Sequence, residues 1–413
     1  MPNLCETLVD EIAESCVSLY KKLPKTGKPV DKEWTVLSCI VQYQKDTKMH
    51  EVVALGTRSK CIGATKMSPQ GNILNDSHSE VIARRGFLLY LYENVTNAVE
   101  NRQSIFLKDN IKFKLKDNIE FVFYSSQMPC GDASIIPKTG DCSDIGELIS
   151  GDKREAQDDL CDVEIKKKKL DIHRTGAKCL SYNQQDLKEA GQAYHLVGQV
   201  RTKPGRGDRT LSVSCSDKIA RWIHCGVQGS LLDLLLYESL FIKHFIFGSG
   251  VPYSDETLHR ALLQRESKVS ITDRLKVIPT FYKSSLIFPH VRSKSNERPA
   301  AGSIVWVKTK NRILEVAVQG KKLGVTKKRA NDMSSSVAIS KNNLYNKYLE
   351  VLHKSKDLKV HICGEQSLQS IPYNEMKRKA IMYQTRWRRT KEIFFKSWTL
   401  KPDIWNFCIN IGP

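Results

Sequence analysis

The segment NDSHSEVIARRGFLLYLYE, residues 75–93, decides how this 413-residue chain is read. From residue 77 to 93 it reads as a helix, apolar through Ile82, Phe87, Leu88, Leu89 and Leu91 but with Arg84 and Arg85 in its middle. Working outward, Val52–Gly56 and Trp34–Val41 are β-branched runs bounded by polar turns and read as strands, as does Ile119–Tyr124. Leu8, Ile12, Cys16, Leu19 and Tyr20 form the apolar stripe of a helix over residues 7–22. A further helix is expected after Cys130. Helix, strand, strand, helix, strand, helix predicts an α/β layered fold.

Beyond this the pattern breaks. Residues 139–190 contain GDKREAQDDLCDVEIKKKKL, charged and without period, and read as a partly disordered surface insertion with the lysines at 166–169 solvated. Order resumes at Leu211–Val213. A long helix is expected near Cys215, strands at 240–247 and 303–317, and helices near 342–354 and 374–396. No internal repeat or sharp linker divides the chain. It reads as one domain over 1–413, with a core at about 50–235 and a C-terminal extension over about 236–413.

Composition narrows the partners. Lys and Arg number 65 against 45 Asp and Glu, a net charge of +20 that favours a polyanion, nucleic acid above all. The N-terminal MPNLCETLVDEIAESCVSLY has no basic region and no long apolar run, so no signal peptide is expected. No run reaches the 18 or so apolar residues of a membrane span. The expectation is a soluble intracellular protein, nuclear or cytoplasmic, that is neither secreted nor held in a membrane. Its 12 cysteines should then be reduced, some of them metal ligands. No obligatory protein partner is inferred.

Three segments place metal-binding chemistry together. His78 and Glu80 stand two apart at a helix start, where His can bind zinc and Glu can reach a water on it. In MPCGDAS, residues 128–134, Cys130 follows a proline. In SCSDKIARW, residues 214–222, Ser214 can cap a helix whose first turn carries Cys215. H-x-E followed by P-C is the signature of zinc deaminases, with Glu as general acid and base rather than ligand. The common form continues P-C-x-x-C, but Ala133 stands where its second cysteine would be. Another residue must complete a three-ligand site. Cys142, Cys161 and Cys179 lie in the polar insertion, His224 and Cys225 inside a helix, and His361 and Cys363 in a strand-like run. Cys215 is the best placed of these, and the others stay open.

NDSHSEV, PCGDAS and SCSDKIARW followed by GVQGSLL resemble the deaminase domains of adenosine deaminases acting on RNA, including the tRNA-specific branch. The likeness runs from KKLPKTGKPVDKEW (21–34) to WTLKPD (398–403). It implies a cytidine-deaminase-like three-layer α/β/α core, zinc on His78, Cys130 and Cys215, and Glu80 as proton shuttle. Ser79 stands where that family usually has alanine. KPGRGDRT (203–210) resembles the tRNA branch, which deaminates the adenosine 3′ of the anticodon in tRNA-Ala. Editors of double-stranded or messenger RNA have a longer segment there and separate RNA-binding domains, for which this chain is expected to have no room. A non-catalytic scaffold would be expected to lack Glu80. Lys60, Lys203, Arg206 and Arg209 are the expected RNA contacts.

The resemblance also implies a buried inositol hexakisphosphate needed for folding. The matching positions are Asn75, Arg84, Arg85, Lys218, Arg221, Ser230, Lys321, Tyr373, Lys377, Tyr383, Trp398 and Lys401. Trp387 replaces a family lysine and Leu400 an acidic residue, two departures at the edge of that pocket.

Overall fold

The computed structural model describes residues 4–138, 171–205, 208–265, 275–293, 296–329, 332–400, 402 and 406–409. An eight-stranded mixed sheet forms its centre. In chain order its strands are β1 (Leu37–Gln44), β2 (His50–Thr57), β3 (Ile119–Ser125), β4 (His244–Ser249), β5 (Thr280–Ile287), β6 (Ser303–Val307), β7 (Ile313–Val318) and β8 (Lys321–Lys322). Their order across the sheet is β5-β4-β3-β1-β2-β6-β7-β8. β3 pairs with β1 antiparallel and with β4 parallel, and β4 with β5 parallel.

Strand periodicity of two builds two cores. Leu37, Cys39, Val41, Leu55, Val122 and Tyr124 face α1 (Glu6–Lys22), which buries Leu8, Val9, Ile12, Ala13, Cys16, Val17 and Tyr20 against them. Ile40, Val53, Ala54, Phe121 and Phe123 face the other way, into the core shared by α2 (Ser79–Val99), α3 (Cys215–Cys225) and α4 (Gly229–Leu235). The result is three layers, α/β/α. α2 is buried almost all round because α5 (Lys341–Lys354) covers its outer side, Tyr92 meeting Tyr348 edge to face at 6.4 Å.

Several expectations change. β4 to β8 all come from residues 244–322, and β1 begins at residue 37. The sheet therefore extends beyond residues 50–235 on both sides. The 303–317 run is two strands, β6 and β7, folded back antiparallel. The long helix at 374–396 is α7 (Tyr373–Arg378), α8 (Ile381–Thr390) and a π-helical turn, Lys391–Phe395, with Ala380 leaving helical geometry at ψ 65°. His361 and Cys363 lie on α6 (Lys356–Cys363), not on a strand. Within the insertion, residues 139–170 lie outside the described residues. Residues 171–190 are partly packed, with Cys179 and Leu180 buried. None of the described helices is long and apolar enough to cross a membrane.

The seat of α2 depends on Gly56 of β2. A Cβ there would come within 2.6 Å of both Ile82 Cβ and the Ser79 carbonyl oxygen. We expect Gly56→Ala to cost about 1–3 kcal/mol, the usual penalty of overpacking. Denaturant unfolding measures it, and an unchanged midpoint would show that α2 is not seated this tightly.

Candidate active site and the basic cavity beside it

His78 is the N-cap of α2, with extended backbone at φ −68° and ψ 142°. Asp76 orients it: Oδ1 accepts the His78 backbone N–H at 3.0 Å and its ring Nδ1–H at 3.0 Å. Glu80 lies in the first turn, only 4% exposed, and accepts from Ser79 Oγ at 3.1 Å. Cys215 opens α3, whose cap Ser214 accepts from the Asp217 N–H at 3.2 Å. Cys130 does not start a helix; only a 3₁₀ turn, Asp132–Ser134, follows it. The reason is Gly131, at φ 107°, where a Cβ would sit 2.2 Å from Ser214 Oγ. Glycine lets the 129–134 loop press onto α3: the Ser216 N–H donates to the Cys130 carbonyl at 3.0 Å and the Cys215 N–H to Cys130 Sγ at 3.4 Å. Cys130 is also in hydrogen-bonding reach of the Cys215 thiol and of His78.

Lys203 has a fully buried side chain and donates to Asp76 Oδ2 at 2.8 Å, Asp76 Oδ1 at 3.1 Å and Cys215 Sγ at 3.0 Å. It is therefore not an RNA contact, and that expectation is corrected: its charge is spent inside the protein. Lys218 pairs with the same carboxylate. Burial would raise the Asp76 pKa, but Lys203, Lys218 and His78 hold it well below the usual carboxylate range. Burial would strip Lys203 of its proton, but Asp76, Cys215 and Cys130 hold the ammonium charged. The hydrogen bond with Cys215, and after the opposing pull of burial the charges of Lys203 and His78, keep the Cys130 thiol well below the ordinary thiol range.

Among the described residues one group of potential ligands, Cys61, Asp76 and His78, has its donor atoms within 4.8 Å of one another. The sequence reading missed Cys61, which gives no local signal and reaches the site through an antiparallel bridge to Asp76. Asp76 is already committed to two lysines and to His78 Nδ1. That hydrogen bond fixes the histidine tautomer and leaves Nε2 as the free donor, the usual carboxylate–histidine support of a bound metal. Cys61 and Asp76 thus back His78 from the Nδ1 side.

Beside this site lies a cavity of about 250 Å³. Asn75, Arg84, Arg85, Lys218, Arg221, Ser230, Tyr373, Lys377, Tyr383 and Trp398 all line it. Lys321 lines an adjoining hollow with Lys66 and Gln319, and Lys401 lies outside the described residues. Lys341, at the start of α5, lines the cavity and was missed, because it reads as an ordinary exposed helix residue. Asp76 is the one carboxylate among the lining residues, and it is already shared by Lys203 and Lys218. Burial, with Arg221 and Arg85 close by, pushes Arg84 down to about 10 despite Tyr383. Asn75 Oδ1, Arg85 Nη2 and Arg221 Nε are buried without a protein partner. Cations and orphaned polar atoms of this kind fit a compact polyanion. Trp387 does not line the cavity; it carries the Arg221 guanidinium 3.8 Å over its ring. Leu400 is 86% exposed. Of the remaining expected RNA contacts, Arg209 is exposed, Lys60 half-buried, and Arg206 outside the described residues.

Residues 54–402 match the family described as "Adenosine-deaminase (editase) domain". The chain belongs to that family and is a hydrolytic deaminase. It is 36% identical over 402 residues to tRNA-specific adenosine deaminase 1 of Drosophila melanogaster, covering 95% of each chain. The Homo sapiens protein of the same name is 33% identical, over 95% of this chain and 98% of that one. The double-stranded RNA-specific editase Adar of Drosophila melanogaster is 31% identical over 53% of this chain and 29% of its own.

The charges around Asp76 give a prediction that stands apart from these likenesses. Asp76→Asn keeps the shape but leaves Lys203 buried beside Lys218 without its carboxylate partner. Breaking a buried pair in this way costs about 3–5 kcal/mol, and urea unfolding should show that loss. A variant as stable as the parent would mean that the lysines are held by something else.

Proposed function

We propose that this chain converts adenosine to inosine in tRNA, at the adenosine immediately 3′ of the anticodon of tRNA-Ala, with one zinc on His78, Cys130 and Cys215. The observation that carries the reading is Cys130 Sγ accepting the Cys215 N–H at 3.4 Å, with His78 among the groups that lower the pKa of the Cys130 thiol and Glu80 buried two residues from His78. Two thiols and an imidazole are a donor set suited to zinc, and three protein ligands leave a position for water. When bound, zinc supplies the Lewis acidity that makes water nucleophilic at neutral pH.

The protein's own groups do the rest. Glu80, steadied by Ser79 Oγ, takes a proton as water adds to C6 of the base and passes it to N1, then carries the proton of the new C6 hydroxyl to the departing amine. The C6–N bond breaks, ammonia leaves and inosine remains. The target base must first leave its stack to reach so buried a carboxylate. The fly and human relatives named for tRNA are 36% and 33% identical over 95% of this chain and the fly editase 31% over 53%, which favours tRNA over double-stranded RNA. Glu80 in place argues against a scaffold without turnover.

Glu80→Gln should retain zinc and fold while deamination of a tRNA-Ala transcript, read as inosine by sequencing, falls at least about a hundredfold. Cys215→Ala should lose stoichiometric zinc by elemental analysis, whereas Cys142→Ala should not. An active Glu80→Gln, or zinc lost from Cys142→Ala and kept by Cys215→Ala, would overturn the assignment.

We further propose inositol hexakisphosphate as the polyanion of the basic cavity. Arg84, Arg85, Arg221, Lys218, Lys341 and Lys377 would repel one another around a low-dielectric space without an anion of high charge. The protein should then co-purify with an inositol polyphosphate and fold poorly in cells that cannot make one. Mass spectrometry of acid-denatured protein decides this: an active preparation free of inositol polyphosphate would refute the proposal.

A further inference from the structure

Asp208 sits in a basic segment, KPGRGDRT, on a protein of net charge +20. A carboxylate is unfavourable on a surface that must take phosphates, and its hydrogen bonds show what it does. Asp208 Oδ2 accepts the Thr65 backbone N–H at 2.8 Å and Thr65 Oγ1 at 2.6 Å. Beside it the Ala64 N–H donates to the Arg209 carbonyl at 2.9 Å. These bonds join two loops that both begin at the candidate active site. One carries Lys60, whose carbonyl accepts the Ser77 N–H, and Cys61, which lies 3.6 Å from His78. The other starts at Lys203, which touches Asp76 and Cys215, and is closed by Thr210 Oγ1 donating to the Lys203 carbonyl at 2.7 Å.

Two glycines make the approach possible. A Cβ on Gly63 would lie 2.2 Å from Asp208 Oδ2, and one on Gly205 would lie 1.7 Å from the Asp208 carbonyl oxygen. Lys66 and Arg209, next to the joined residues, are exposed.

We propose that Asp208 is a positioning residue for the polynucleotide. Its bonds to Thr65 clasp the two loops into one rim, so that Lys66 and Arg209 meet the RNA backbone at a fixed spacing. This rests on the reading of the chain as a tRNA deaminase. The clasp acts through geometry, not through the charge of Asp208, and that separates it from simple electrostatics.

The test uses the full-length protein and a tRNA-Ala transcript, with binding followed by fluorescence anisotropy over a range of salt. Asp208→Ala removes the acceptor, and Gly63→Ala displaces it without touching a charge. Both should weaken binding by about tenfold, the scale expected from losing hydrogen bonds to a charged group. Both should also flatten the salt dependence by about one phosphate contact, with KM for deamination rising more than kcat falls. Asp208→Asn keeps an acceptor for Thr65 and should stay within about twofold of the parent. Tighter or unchanged binding by Asp208→Ala would overturn the proposal, because loss of a repulsive charge would then explain everything. A defect as large in Asp208→Asn as in Asp208→Ala would overturn it too. A parent protein that does not bind tRNA would refute the tRNA reading itself, a separate outcome read before any variant.

Discussion

One buried carboxylate ties the chemistry of this protein to its fold. Asp76 accepts from His78 at the start of α2, from Lys218 on α3 and from Lys203 at the root of the 203–210 loop. Each bond draws in a different part of the chain, Lys203 lying 127 residues from Asp76 and Lys218 142. A single ionised group in such a place would be prohibitively desolvated, and so would either lysine. Together they are tolerated because opposite charges meet at hydrogen-bonding distance where little water screens them. The arrangement also orients His78, whose ring is held through Nδ1 so that Nε2 points away from the carboxylate. Lys203 in turn donates to Cys215, so one candidate ligand reports its position to another through two salt-bridged residues.

What could be read from the sequence is what local periodicity records. α1 and β1 to β3 were expected within a few residues of their bounds, because α1 repeats its apolar positions at 3.6 and the strands are apolar, β-branched or aromatic runs bounded by polar turns. Ser214 was recognisable as a cap and accepts the predicted kind of bond. Cys130 was misread as a helix start because P-C-G-D looks like one. The positive φ of Gly131 serves a tertiary approach that the sequence does not display. The same limit explains Lys203. In K-P-G-R-G-D-R it reads as one basic loop residue among several, and only the folded chain shows that Asp76 has claimed it. Cys61 was invisible for a like reason, its neighbour His78 being reached across a bridge.

The cavity marks the boundary between pattern and resemblance. Taken alone, Arg84 and Arg85 in IARRGFLL are ordinary solvated cations, and nothing local brings them to Lys377, nearly 300 positions on. Likeness to a family collected those residues into one set. It could not name Lys341, nor say that Lys321 faces a neighbouring hollow instead.

Trp387, which the resemblance sets where the family has a lysine, shows how the cavity can do without a charge and keep its wall. Three half-buried arginines already crowd this space, and Arg84 feels both Arg85 and Arg221 as repulsion. A further ammonium would add to that cost. Trp387 removes it and offers a π face instead, with the Arg221 guanidinium 3.8 Å above the ring and Tyr383 at 5.7 Å. Trp398 packs against Trp387 edge to face at 4.8 Å and itself lines the cavity. Cation–π contact of this kind is worth about 0.5–2 kcal/mol, more when desolvated. It holds Arg221 without neutralising it. Its place at the cavity wall is thus fixed by contacts within the protein.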